Sequence, residues 1–154
     1  MLKKGADRVT NTTIFLETAL ATSLKTPLEQ AAQAMNKAYA PYSHFSVGAV
    51  IYGANGKYYS GCNVENAAYP EGTCAEAGAI AAMVLDGEHQ IKDIYIMGEG
   101  ENLVTPCGGC RQKIREFSTA ETQIHICDPT SIKKTLSVDE ILPFSFGPEN
   151  LEPH

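Results

Sequence analysis

Two short segments, Cys74-Ala75-Glu76 and Pro106-Cys107-Gly108-Gly109-Cys110, constrain this chain more than any other part of it. Together they hold three thiols and one carboxylate in a pattern that suits a single metal ion, so the fold must bring them together from well-separated parts of the sequence. Three thiolates fill three corners of a zinc tetrahedron and leave the fourth open, as catalytic sites do and closed structural sites do not. Glu76 sits two residues from the first ligand, where a carboxylate can carry protons for a water at the open corner. Both segments begin stretches that read as helices. Helix N-termini present free N–H groups and a positive dipole end, which favour thiolate over thiol. Cys107 and Cys110 are i, i+3 neighbours on one helix face, and Cys74 must arrive from a second helix. Two plainer readings stand beside this one. A lone C-x-x-C also suits a buried pair or a redox site. A fourth ligand from Cys62, Cys127, His44, His89 or His125 would instead close a structural zinc site, although none of these stands in a recognised spacing with the other three.

The remaining chain reads as a scaffold of alternating helices and strands. Thr26-Pro27-Leu28-Glu29 opens a helix, with Thr26 as cap, Pro27 at the first position and Glu29 completing a capping box. Leu28, Ala31, Ala32, Met35 and Tyr39 give its apolar face, and Pro41 ends it. Residues 46–52 and 57–62 flank Gly53-Ala54-Asn55-Gly56, an Asn-Gly turn that predicts an antiparallel hairpin. Residues 63–73 form a polar loop, and 74–85 a buried helix stopped near Gly87. A strand over 91–97, a second motif-bearing helix over 107–117, a strand over 123–127 and a short helix opening at Ser137-Val138-Asp139-Glu140 follow. Residues 1 to about 25 carry weak periodicity (Ile14, Leu16, Leu20) and read as an arm or short helix, leaving 26–154 as one domain. This alternation predicts a three-layer α/β/α domain on a mixed sheet of about five strands.

Charge and cysteine usage narrow the partners. A net charge of -6 argues against a nucleic-acid footprint, which is normally basic, and favours a small neutral substrate. No run of about 18 apolar residues spans a membrane, and Asn11-Thr12-Thr13 and Glu17 interrupt any signal-like apolar core behind the basic N-terminus. An odd count of 5 cysteines does not suit a disulfide scaffold, and thiolate ligands persist best in a reducing compartment, so a cytoplasmic location is expected. Cys62 and Cys127 fall at strand ends and are expected to be small buried hydrophobes. His44, His89, His125 and His154 are expected to take loop, strand or tail roles.

Three further segments extend the pattern: Pro41-Tyr42-Ser43-His44-Phe45-Ser46-Val47-Gly48-Ala49, Gly61-Cys62-Asn63-Val64-Glu65-Asn66-Ala67 and Leu142-Pro143-Phe144-Ser145-Phe146. With the two cysteine segments, which fit the general zinc-deaminase signature, they occur in an order that resembles the homotetrameric, three-cysteine type of cytidine deaminase from about Tyr39 to Leu151. The resemblance implies one Zn²⁺ per subunit on Cys74, Cys107 and Cys110, with Glu76 moving protons between water, ring N3 and the departing ammonia. It implies that Asn63 and Glu65 grip the ribose hydroxyls, that the Ala67 backbone recognises the base, and that Phe45 and Phe146 wall the pyrimidine, the latter from a neighbouring subunit. Tyr69 matches a position that contacts substrate across the interface. Read as residues alone, Asn63 and Glu65 also suit a polar turn, Phe45 and Phe146 plain core packing, and Tyr69 a surface loop.

The implied activity is hydrolytic deamination of cytidine and 2′-deoxycytidine in pyrimidine salvage, by a homotetramer with shared active sites and no nucleic-acid or membrane partner. Rival readings are deamination of another cytosine-bearing small molecule such as blasticidin S, action on RNA or DNA bases, and a non-catalytic zinc-stabilised binding module. The Asn63/Glu65 pair speaks for a free riboside, and Glu76 for catalysis. One position departs from the family pattern. Ala77 stands where many members carry an arginine that hydrogen-bonds the thiolates, so Arg111, one residue after the last ligand, or the helix N-termini are expected to offset their charge.

Overall fold

The protein is described by a computed structural model covering residues 25–151. The arm read over residues 1 to about 25 therefore lies outside the described residues except for Lys25, as does His154. Helix α1 (Pro27–Met35) opens as its sequence dictates. The Glu29 N–H donates to Thr26 Oγ1 at 3.2 Å and the Thr26 N–H to Glu29 Oε2 at 2.8 Å, closing the capping box. The helix ends earlier than its apolar spacing suggests. Asn36 is its C-cap, and the Tyr39 N–H turns away to Asn63 O at 3.0 Å. Tyr39 is thus not part of the helical face; it is 56% exposed and bridges Val64 in parallel fashion.

Five strands, β1 (Val47–Gly53), β2 (Tyr58–Cys62), β3 (Ile91–Gly98), β4 (Ser118–Cys127) and β5 (Ile132–Ser137), form one sheet in the order β2-β1-β3-β4-β5. β3 and β4 run parallel, and the other neighbours are antiparallel. The Asn-Gly hairpin is present, with Gly56 at φ 79°, a left-handed conformation that glycine adopts without steric cost. β4 begins five residues before the expected strand, and β5, which carries no alternating apolar signal, was not assigned from sequence. It is an edge strand whose Lys133 and Lys134 are exposed, and charged edges of this kind discourage pairing with other chains.

Alternation along the strands builds a core on each face. Ala49, Ile51, Ile94, Ile96, Ile124 and Ile126 face helix α2 (Ala75–Leu85) and helix α3 (Gly108–Glu116), meeting Ala75, Ala79, Met83 and Ile114. Val50, Met97 and Cys127 face α1 and meet Ala31 and Met35. The result is the expected α/β/α layering, completed by the short helix α4 (Val138–Ile141). Two glycines let the helices lie close. A Cβ on Gly61 would stand 2.3 Å from both Ala75 O and Ala79 N, and one on Gly48 would stand 2.2 Å from Ala31 O. Gly61 thereby seats the N-terminal turn of α2, and with it Cys74, directly on β2. No helix among the described residues is long and apolar enough to cross a membrane.

Candidate active site

Cys74 is the N-cap of α2 and Cys107 the N-cap of α3, while Cys110 lies in the first turn of α3. Two helix N-termini therefore converge at one point, where unpaired N–H groups favour negative charge. The three sulfurs lie within 4.8 Å of one another, and no histidine joins them among the described residues. Sulfurs at two corners of a zinc tetrahedron, each about 2.3 Å from the ion, stand roughly 3.8 Å apart. Cys74 Sγ and Cys107 Sγ are 3.8 Å apart, so the donor set fits zinc in both chemistry and spacing. Burial raises the Cys74 thiol pKa above its usual range. Cys110, almost fully buried and facing the Glu76 carboxylate, is raised further, first by burial and then by that charge. Cys107 is lowered, chiefly by the backbone N–H of Cys110. A divalent cation held among the three sulfurs would supply the charge that stabilises them as thiolates.

Glu76 occupies the first turn of α2 and is only 4% exposed. Its Oε2 accepts from Cys110 Sγ at 3.3 Å. It opens into a cavity of about 300 Å³ that it shares with Cys74, Cys107, Phe45, Asn63 and Glu65. Val47, Ile96 and Val104 give this cavity an apolar wall, a common form for a small-ligand site with a few convergent polar groups.

Asn63 and Glu65 hold the loop before β1. Asn63 Oδ1 accepts from the Val47 N–H at 2.8 Å, and its Nδ2 donates to Phe45 O at 2.8 Å. Glu65 Oε2 accepts from the Tyr42 and Ser43 N–H groups at 2.9 and 3.2 Å, and Oε1 accepts from the Ser43 hydroxyl. The Ser43 hydroxyl, first among these donors, holds the Glu65 carboxyl below its ordinary pKa. Phe45, 45% exposed, is a cavity wall rather than core.

Three residues singled out in the sequence do not line this cavity. Ala67 is exposed in the loop before the turn Tyr69–Glu71. Tyr69 is 76% exposed and packs near Tyr42, with ring centroids 5.9 Å apart, beside a second cavity on the far side of Glu65. Phe146 is 60% exposed, and its carbonyl accepts from Gln112 Nε2 of α3 at 2.9 Å.

Arg111 does not take the place of the arginine missing at position 77. Its Nε donates to Pro106 O at 2.8 Å, Nη1 to Ile141 O at 3.0 Å and Nη2 to Thr105 Oγ1 at 3.3 Å. It braces the loop that delivers Cys107 against the end of α4, and its hydrogen bonds go to oxygens rather than to sulfur. The helix N-termini remain as the groups facing the thiolates. Among the bystanders, Cys127 is buried as expected but Cys62 is only partly so, its thiol directed at Lys37 O at 3.7 Å. His44 and His89 are exposed. His125 is buried on the opposite sheet face, 3.0 Å from Asp93 Oδ1 and 2.9 Å from Thr135 Oγ1. Sequence reasoning missed Ser43 and Thr105 as parts of the site, because a serine or threonine in a loop carries no spacing signal of its own.

Known proteins resemble this chain. A family model described as the cytidine and deoxycytidylate deaminase zinc-binding region matches residues 21–126. A cytidine deaminase of Sporosarcina psychrophila is 36% identical over 124 residues, covering 80% of this chain and 91% of that protein. One from Mycoplasma genitalium is 37% identical over 116 residues, covering 75% and 88%. The crystal structure of a cytidine deaminase from Burkholderia pseudomallei superposes with a TM-score of 0.73 at 35% identity, covering 78% of this chain and 96% of that one. The converging thiols, the buried glutamate and these likenesses lead to one conclusion: the chain belongs to the cytidine and deoxycytidylate deaminase family, whose cofactor is zinc.

Proposed function

We propose that this enzyme hydrolytically deaminates cytidine and 2′-deoxycytidine, releasing ammonia and the corresponding uridine nucleoside. The observation that carries the reading is Glu76: a buried carboxylate 3.3 Å from Cys110 Sγ, lining a cavity that Asn63 and Glu65 also line. Cys74, Cys107 and Cys110 would hold the zinc, whose Lewis acidity would bring the pKa of the attacking water toward neutrality. Glu76 accepts one proton of that water and gives it to ring N3 as the oxygen adds to C4. It then takes the remaining proton from the new C4 hydroxyl and delivers it to the amino group, so that the C4–N bond breaks, ammonia leaves and a C4 carbonyl remains. Such a two-way carrier needs a fixed position, which the first turn of α2 provides. Asn63 and Glu65 orient the sugar with capacity their loop contacts leave free: one hydrogen on Asn63 Nδ2 and a lone pair on Glu65 Oε1. Phe45 and the apolar wall exclude water from the base.

The same reading extends to assembly and setting. Tyr69, Phe144 and Phe146 are strongly exposed in the single chain, so a neighbouring subunit could cover them. We take the chain to be a homotetramer in which Phe146 and Tyr69 complete neighbouring sites and the Ala67 backbone reads the base. All five cysteines are free, which suits a reducing cytoplasm and a role in pyrimidine salvage. Ammonia release should be followed with cytidine, 2′-deoxycytidine, cytosine, adenosine and blasticidin S, with zinc content measured alongside. Turnover confined to the two cytosine nucleosides is expected. Preference for blasticidin S, or for cytosine lacking its sugar, would contradict the assignment of Asn63 and Glu65.

A further inference from the structure

The loop between α1 and β1 passes through an unfavourable conformation. His44 has φ 56°, a left-handed value that costs a non-glycine residue stabilisation unless its surroundings hold it there. On one side of His44, the Tyr42 and Ser43 N–H groups are both bound by Glu65 Oε2. On the other side, the Phe45 carbonyl is bound by Asn63 Nδ2 and the Phe45 N–H by Ser43 Oγ at 3.0 Å. The Ser43 hydroxyl therefore works in two directions. It donates its hydrogen to Glu65 Oε1 and accepts from the backbone of the ring that walls the base. Its donation also determines which lone pair of Oε1 remains for a sugar hydroxyl.

We propose that Ser43 is a positioning residue that couples the sugar-holding carboxylate of Glu65 to the base-facing ring of Phe45. Ser43 lines the same cavity as Cys74 and Glu76 but hydrogen-bonds to neither. The inference rests on the reading of Glu65 and Phe45 given above. Through this hydroxyl, a ribose seated correctly on Glu65 fixes the loop that presents Phe45, so sugar and base are recognised as one unit.

The test is steady-state kinetics of zinc-loaded wild type, Ser43→Ala and Ser43→Thr with cytidine and with 2′,3′-dideoxycytidine, which lacks the hydroxyls that Glu65 would hold. Ser43→Ala should raise KM for cytidine about tenfold, the effect of losing one charge-assisted hydrogen bond, with kcat unchanged, and Ser43→Thr should restore it. KM for dideoxycytidine should move far less. In a Glu65→Gln background, Ser43→Ala should cost less than it does alone, because partners in one network are not additive. If alanine costs the fold its zinc, the near-isosteric pair Ser43→Thr and Ser43→Val carries the same comparison. An unchanged KM, equal effects on both substrates, or fully additive losses with Glu65→Gln would each overturn the coupling alone. A wild type that turns over neither substrate overturns the underlying reading and the coupling with it.

Discussion

At the scale of single residues, the thiol cluster and the carboxylate beside it were legible because their chemistry is carried by residue type and short spacing. Cys107 and Cys110 had to share a helix face, and Glu76 had to sit within a turn of Cys74. The partners of Arg111 were not legible, because Ile141 is distant in sequence and contributes only a carbonyl oxygen. That distinction has a measurable consequence. Arg111→Ala removes three hydrogen bonds from a charged donor and is expected to destabilise the fold by about 2 kcal/mol, with weakened zinc retention as the Thr105–Cys107 segment loosens. Thermal melting and metal analysis check this. The pH–rate profile of whatever enzyme remains loaded should not shift, since Arg111 faces no ligand sulfur; a shift would restore the charge-balancing role to it.

At the scale of elements, the capping box of α1, the helix opening at Ser137 and the Asn-Gly hairpin followed from local rules, and the structure reproduces each. The end of α1 did not, because the Tyr39 N–H is claimed by Asn63 O from another part of the chain. β5 escaped notice because an exposed, lysine-bearing edge strand has no buried face to impose alternation. The contact that positions the chemistry is likewise non-local: Gly61 of β2 lets the first turn of α2 approach to backbone distance. Gly61→Ala pushes a methyl group into the Ala75 carbonyl and Ala79 amide, which no rotamer relieves. The expected loss is about 3 kcal/mol, with α2 displaced and zinc stoichiometry reduced. Chemical denaturation together with metal content tests this; a variant of wild-type stability that holds a full complement of zinc would show that the approach is not needed. The matching substitution at Gly48 strikes α1 instead and should destabilise the fold without directly disturbing the ligand cluster.

At the scale of the whole molecule, two dependences follow. Several carboxyl groups are held below their ordinary pKa: Asp86 by its hydrogen bond from Lys57, Glu88 by the Gln90 N–H, Asp128 by Lys133 and Glu140 by the Ser137 N–H. A carboxyl with a depressed folded-state pKa contributes stability that is fully present above its unfolded value, near 4, and is lost as pH falls through the folded value. Melting temperature measured against pH should therefore hold between about pH 5 and 7 on this account and fall below about pH 4. A melting temperature that rose on acidification would contradict these assignments. The second dependence concerns the site, where the layers converge two helix N-termini, three thiols and one buried carboxylate. The most direct test compares initial rates of ammonia release from cytidine by wild type and Glu76→Gln, each shown to carry one zinc per chain. The account predicts turnover by the wild type and a loss of about 10²- to 10⁴-fold in the variant at equal zinc. A Glu76→Gln enzyme that keeps its zinc and deaminates cytidine at the wild-type rate would contradict it.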